Sequence, residues 1–126
     1  ILVAGSGFVP ALTGETDLWA AGRAALAHGP RIVVQTEGAD GSYTVTPDDQ
    51  FHTPIFPVEV VDTTGAGDVF HGAYLVGLLK GWDLRRVATF ATAVSAIECT
   101  RLGGRVGIPT YDEVIAFLRQ RGVEIE

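Results

Sequence analysis

The stretch Val60-Val61-Asp62-Thr63-Thr64-Gly65-Ala66-Gly67-Asp68-Val69-Phe70-His71-Gly72 decides how the rest of the chain is read. Residues 58–61 read as the end of a buried strand and residues 73–80 as the body of a helix, so Gly65-Ala66-Gly67 falls on the turn between them. Glycine lets backbone come close to a ligand, and the first turn of a helix leaves N–H groups unpaired at its positive end. The turn is therefore suited to negative charge. Asp68 would repel an anion held there, so its presence calls for another reason, such as taking a proton from an attacking hydroxyl. The plainer alternative is an Asp that complements the helix dipole, with the glycines serving only the turn.

A chain of 126 residues, 47% hydrophobic, suffices for one globular core and is short for two ordinary domains. It contains no Met and opens directly on Ile1-Leu2-Val3-Ala4, which leads us to expect a fragment of a longer protein. The net charge of -6 and a pI of about 4.9 offer no basic surface to nucleic acid or to an anionic membrane. Cys99 is the single cysteine, which excludes an internal disulfide, fits a reducing cytoplasm and suits a small core residue. No apolar run approaches the ~20 residues that span a bilayer.

The order of residues in Asp62-Thr63-Thr64-Gly65-Ala66-Gly67-Asp68-x-Phe70-x-Gly72 resembles the C-terminal signature of the ribokinase-like (PfkB) carbohydrate kinases. The resemblance covers nearly the whole chain. It implies that the backbone of Gly65, Ala66 and Gly67 forms an anion hole for the transferred phosphoryl group and that Asp68 is the base. It further implies that Asp62 and Thr64, with carbonyls of the loop after Cys99, hold a monovalent cation, potassium, beside that hole.

Along the chain, residues 1–4 read as a strand, followed by Gly5-Ser6-Gly7. A dinucleotide turn of the form Gly-x-Gly-x-x-Gly would need a third glycine where Pro10 stands. Against the kinase family, residues 1–14 resemble the strand, short helix and Leu-Thr-Gly turn ending at Gly14. Many members carry an acid in an Asn-x-x-Glu motif that helps to organise magnesium. Here the corresponding stretch is Gly5-Ser6-Gly7-Phe8, which has none.

Residues 18–28 suit a helix stopping at Gly29-Pro30, and Ile32-Val33-Val34 a strand. The following Thr36-Glu37-Gly38-Ala39-Asp40-Gly41 reads either as a hairpin turn before a strand at residues 42–46 or as a place where backbone meets a ligand. It resembles the family's Thr-x-Gly-x-x-Gly, which implies nucleotide contacts at Thr36, Gly38 and Gly41. Glu37 occupies a position that is usually apolar. Residues 51–54 read as edge-strand material broken by proline.

After the helix that follows Asp68, Asp83 is positioned to cap another, with Val87, Phe90, Ala91, Val94 and Ile97 on one face. Thr92 stands where relatives place an Asn near the adenine. Residues 100–109 are too glycine-rich for a helix and resemble the family's ATP and cation loop, which adds Gly103 and Thr64 to the implied nucleotide contacts. Thr110 and Glu113 form a capping box that opens a last helix.

Alternating strands and helices argue for an α/β fold, and the resemblance makes it the C-terminal part of a three-layer ribokinase-like fold, a mostly parallel sheet flanked by helices. Residues 1–126 would then be the ATP-binding, catalytic portion of such a kinase. The substrate portion and lid would be absent, and the isolated piece inactive. The implied reaction is ATP-dependent phosphorylation of a hydroxyl on a sugar or sugar derivative, with Mg²⁺ and K⁺ as cofactors, in a full-length protein that could be a homodimer. Two alternatives stay open: a nucleotide-binding fragment or regulatory module without turnover, and an NAD-dependent oxidoreductase using Gly5-Ser6-Gly7.

Overall fold

The computed structural model describes residues 1–103 and 108–125 and falls into two compact units divided after Pro54. In the first unit, β1 (Leu2–Ala4) leads through α1 (Phe8–Thr13) and α2 (Leu18–Leu26) to β2 (Val33–Thr36). A short 3₁₀ turn (Gly38–Asp40), β3 (Ser42–Val45) and β4 (Gln50–Thr53) follow. The sheet order is β1-β2-β3-β4.

β1 and β2 run parallel, with Leu2 opposite Val33 and Ala4 opposite Gln35. β2–β3 and β3–β4 are antiparallel. Within this chain the sheet is thus mixed, which corrects the expectation of a mostly parallel one while the α/β class stands. A strand that returns after a short turn must run antiparallel, and only the β1–β2 connection carries the helices that a parallel crossover needs.

Asp17 caps α2 by accepting from the Ala20 N–H at 2.9 Å. The cap leaves Ala21 and Ala25 facing inward with Ala4, Val9 and Val33, against which Leu2 and Leu26 pack. Fully burying a valine such as Val33, Val34 or Val45 contributes about 1.5–3 kcal/mol, which outweighs the few tenths that β-branched residues gain from strand propensity alone. Buried Gln35 spends its amide N–H on Leu18 O at 2.9 Å and so ties β2 to the start of α2.

The second unit holds α3 (Ala66–Leu79), α4 (Leu84–Cys99) and α5 (Tyr111–Gln120). α3 packs along α4, and Gly77 makes this approach possible: a Cβ there would stand 3.1 Å from both Val87 methyls. Phe90 meets Trp82 and Tyr111 edgewise or tilted, with ring centroids 5.3 and 5.8 Å away. Asp83 caps α4 through the Arg86 N–H at 3.0 Å, and Thr110 and Glu113 form the expected reciprocal box on α5. Each such cap stabilises its helix by about 0.5–2 kcal/mol.

Residues 58–61 are not a strand, contrary to the sequence expectation. Val60 and Val61 are each 58% exposed. Pro54 and Pro57 lack donors just upstream, and the N–H groups of Val61 and Asp62 both go to Cys99 O, at 2.7 and 3.1 Å, rather than to a ladder. The segment is anchored to the end of α4 instead. α3 also starts earlier than expected, with Ala66 and Gly67 already inside its first turn.

Candidate active site

Gly65 caps α3 in the left-handed conformation, φ 79°, and no side chain closes the helix end. A residue with a Cβ would be strained there. The Ala66 N–H, one of the donors expected in the anion hole, donates to Thr63 O at 3.1 Å. A Cβ on Gly67 would meet nothing within 4 Å, which leaves the backbone open to a ligand. Asp68 is exposed in this same first turn, and the hydroxyl of Ser95 on α4 holds the turn by donating to Ala66 O at 3.3 Å.

Asp62 organises the approach to that turn. Its Oδ1 accepts from the N–H and the hydroxyl of Thr64, at 2.9 and 2.7 Å, and its Oδ2 accepts from the N–H of Gly103 at 3.0 Å. These donors, the Thr64 hydroxyl foremost, hold its carboxyl below the usual range, so it stays ionised. Gly103, distant in sequence, is thus brought into one cluster with Asp62 and Thr64. Of the expected ATP and cation loop, Gly104, Arg105, Val106 and Gly107 lie outside the described residues.

Glu98 sits on the inner side of α4, 0% exposed, with neither carboxylate oxygen bonded to protein. Burial, and then the charge of Asp62, push its carboxyl up. The folded chain therefore holds that proton more tightly than the unfolded chain. The stability linked to it is complete below the ordinary Glu value of 4.5 and is lost as pH rises toward the raised folded value. Glu98→Gln keeps the size and cannot ionise. We expect it to melt close to the parent near pH 4 and above the parent at pH 8, because only the parent must then either hold a proton or bury a charge. A melting difference that is flat between those pH values would contradict this.

In the first unit, Thr36 donates its hydroxyl to Ala4 O at 3.3 Å. Gly38 has φ 54° with open space where a Cβ would go. Gly41 is different: it is buried, and a Cβ would lie 2.2 Å from Thr53 O, so the hairpin alone requires glycine there. Thr92 is 7% exposed and donates its hydroxyl to Ala88 O at 2.7 Å. His71 is exposed.

Sequence reading missed the burial of Glu98, although Val87, Ala91 and Val94 lead to it at intervals of four, three and four along one helix face. Among the described residues, no three His, Cys, Asp or Glu side chains gather into a metal cage. No described helix is long and apolar enough to cross a membrane.

A mixed sheet in the first unit and, in the second, a glycine-capped helix with an exposed Asp in its first turn are features of the ribokinase-like α/β class. Ribokinase from Thermotoga maritima superposes with a TM-score of 0.87 at 37% identity, over 94% of this chain and 41% of that one. A candidate ribokinase II from E. coli in complex with ATP and Mg²⁺ gives 0.87 at 31%, over 94% and 38%. The chain belongs to the pfkB family of carbohydrate kinases, whose sequence profile matches residues 8–111. It is 40% identical over 91 residues to an ATP-dependent ribose-1-phosphate kinase from Halopiger xanaduensis, covering 72% of this chain and 30% of that protein. The chain thus spans about a third of the length of the curated relatives it matches.

Proposed function

We propose that this chain is the nucleotide-binding and phosphoryl-transfer portion of a kinase that moves the γ-phosphoryl group of ATP to a hydroxyl of a sugar or sugar derivative. The observation that carries this reading is the left-handed Gly65 cap, which starts α3 with exposed Asp68 in its first turn and open backbone at Gly67. Asp68 takes the hydroxyl proton as the acceptor oxygen bonds to the γ-phosphorus, the bond to the β-phosphate oxygen breaks, and ADP leaves. The N–H groups of Gly65 and Gly67 face the charge that spreads over the transferred oxygens. In the first unit, the turn at Thr36, Gly38 and Gly41 supplies nucleotide contacts. Mg²⁺ bound with the nucleotide would neutralise phosphate charge, and such a cation is held largely by phosphates and water.

Asp62 also fits a monovalent cation. A carboxylate offers about four acceptor positions, three of which are used by Thr64 and Gly103, and these donors keep the group ionised. A potassium ion there would stiffen the Asp62–Gly65 turn and add positive field.

The test has two arms. Residues 1–126 alone should bind an ATP analogue and show no sugar-stimulated turnover, because no acceptor is positioned and that term accounts for about 7–11 kcal/mol of barrier reduction. Absence of nucleotide binding would overturn the function; turnover at about 1–100 per second would overturn the reading as a portion. In the full-length kinase, replacing potassium by tetramethylammonium should cut turnover, and equal rates would remove the cation site.

A further inference from the structure

The turn at residues 37–41, given to the nucleotide in the reading above, carries two carboxylates, Glu37 and Asp40, among its five residues. A triphosphate brings further negative charge to the same place, and like charges repel. What holds the two acids therefore matters to what the turn can receive. Each is held by a hydroxyl from outside the turn. Ser6, in the loop after β1, donates to Glu37 Oε1 at 3.1 Å, and Tyr43, on β3, donates to Asp40 Oδ2 at 2.5 Å.

Tyr43 is itself fixed by its neighbours. It stands opposite His52 in the β3–β4 ladder, with ring centroids 4.7 Å apart, and Trp19 on α2 meets its ring edgewise at 5.0 Å. The bond to Asp40 holds the Tyr43 hydroxyl above its ordinary pKa of 10.0, so it keeps its proton and remains a donor through neutral pH. His52 grips the same residue by its backbone: a carbonyl only accepts, so His52 Nε2 donates to Asp40 O. The main-chain bonds of the turn run from Glu37 N–H to Gly41 O at 2.8 Å, from Asp40 N–H to Glu37 O at 3.0 Å and from Gly41 N–H to Gly38 O at 3.1 Å. They shape the backbone and do not involve the Asp40 side chain. At Gly38 the turn is open, since a Cβ there would meet nothing within 4 Å.

We propose that Tyr43 is a positioning residue for the nucleotide: its hydroxyl keeps the Asp40 carboxylate from swinging toward the phosphates that the turn receives. Released from that bond, the side chain is free to sample its staggered rotamers, and its charge is no longer fixed beside β3. Tyr43 acts through Asp40 and does not itself touch the nucleotide. Asp40 is exposed, so the repulsion it exerts is screened by salt. The inference rests on the ATP-binding reading above and deepens it.

The experiment titrates the 126-residue chain with the Mg²⁺ complex of a non-hydrolysable ATP analogue, by calorimetry, at low and at high salt. Tyr43→Phe keeps the ring and its contacts with Trp19 and His52 and removes only the hydroxyl. It should weaken binding about 3–10-fold at low salt, the worth of one hydrogen bond. At about 1 M salt, where charges are screened beyond about 3 Å, the loss should shrink to less than about twofold. Adding Asp40→Asn to Tyr43→Phe removes the released charge, and the double variant should return to within about twofold of the parent at low salt.

A loss in Tyr43→Phe that persists undiminished at high salt, or that Asp40→Asn does not relieve, would overturn the proposal, because the hydroxyl would then be shaping the turn and not restraining a charge. A parent chain that binds no analogue would overturn the ATP reading and this inference with it, whereas normal binding by the parent with an indifferent Tyr43→Phe would remove the inference alone.

Discussion

Asp68→Asn in the full-length kinase should lower kcat by about 10²–10⁴ while leaving ATP affinity nearly unchanged. The substitution keeps the shape of the side chain and its place in the first turn of α3, and removes only its capacity to take a proton at neutral pH. A fall of that size corresponds to about 3–5 kcal/mol of lost transition-state stabilisation. The alternative role, a carboxylate complementing the helix dipole, is worth about 0.3–1 kcal/mol of stability and nothing in the chemical step. The two roles therefore separate in one comparison. A near-normal kcat with a slightly lowered melting temperature would identify Asp68 as a helix-end residue and sink its assignment as the base.

Gly41→Ala should destabilise the first unit by more than about 3 kcal/mol, a large share of the 5–15 kcal/mol that holds an ordinary domain together. Two effects combine. The φ of 85° is a conformation in which a Cβ costs roughly 1–2 kcal/mol, and that Cβ would stand 2.2 Å from the Thr53 carbonyl oxygen. A backbone oxygen cannot rotate aside as a side chain could, so either β4 shifts or the hairpin opens. Gly38→Ala is the matched control, because its φ of 54° carries the conformational cost with nothing within 4 Å to strike. Amide exchange across residues 42–53 reads the difference: protection should drop strongly in Gly41→Ala and little in Gly38→Ala. Equal protection in the two variants would show that β4 yields more easily than the packing implies.

The elements that sequence reading located well are those governed by short windows. Asp83 and Thr110 cap the helices they were positioned to cap, because a cap and its N–H partner lie three residues apart. The inward face of α4 follows from a period of 3.6, and the β2–β3 hairpin from β-branched runs around glycines. Residues 58–61 failed the same reading for a reason outside their window. An apolar run becomes a strand only when a neighbouring strand takes its N–H groups, and here Cys99 O, nearly forty residues on, takes two of them.

The sequence by itself determined the family, through the unbroken order of Asp62, Thr64, Gly65, Gly67 and Asp68, and with it the candidate base and the turn that would receive a phosphoryl group. Those assignments are legible because the chemistry needs its groups within one strand-to-helix turn. Only the tertiary structure decided what these groups and their neighbours touch. It engages the Ala66 N–H with Thr63, divides the Asp62 carboxylate between Thr64 and Gly103, buries Glu98 without a partner, and joins Ser6 to Glu37. Each of the longer pairings spans thirty or more residues, and no periodicity or local propensity records a contact at that range. Such contacts form because the fold returns two loops to one place, and a buried oxygen must then find a donor there or remain without one.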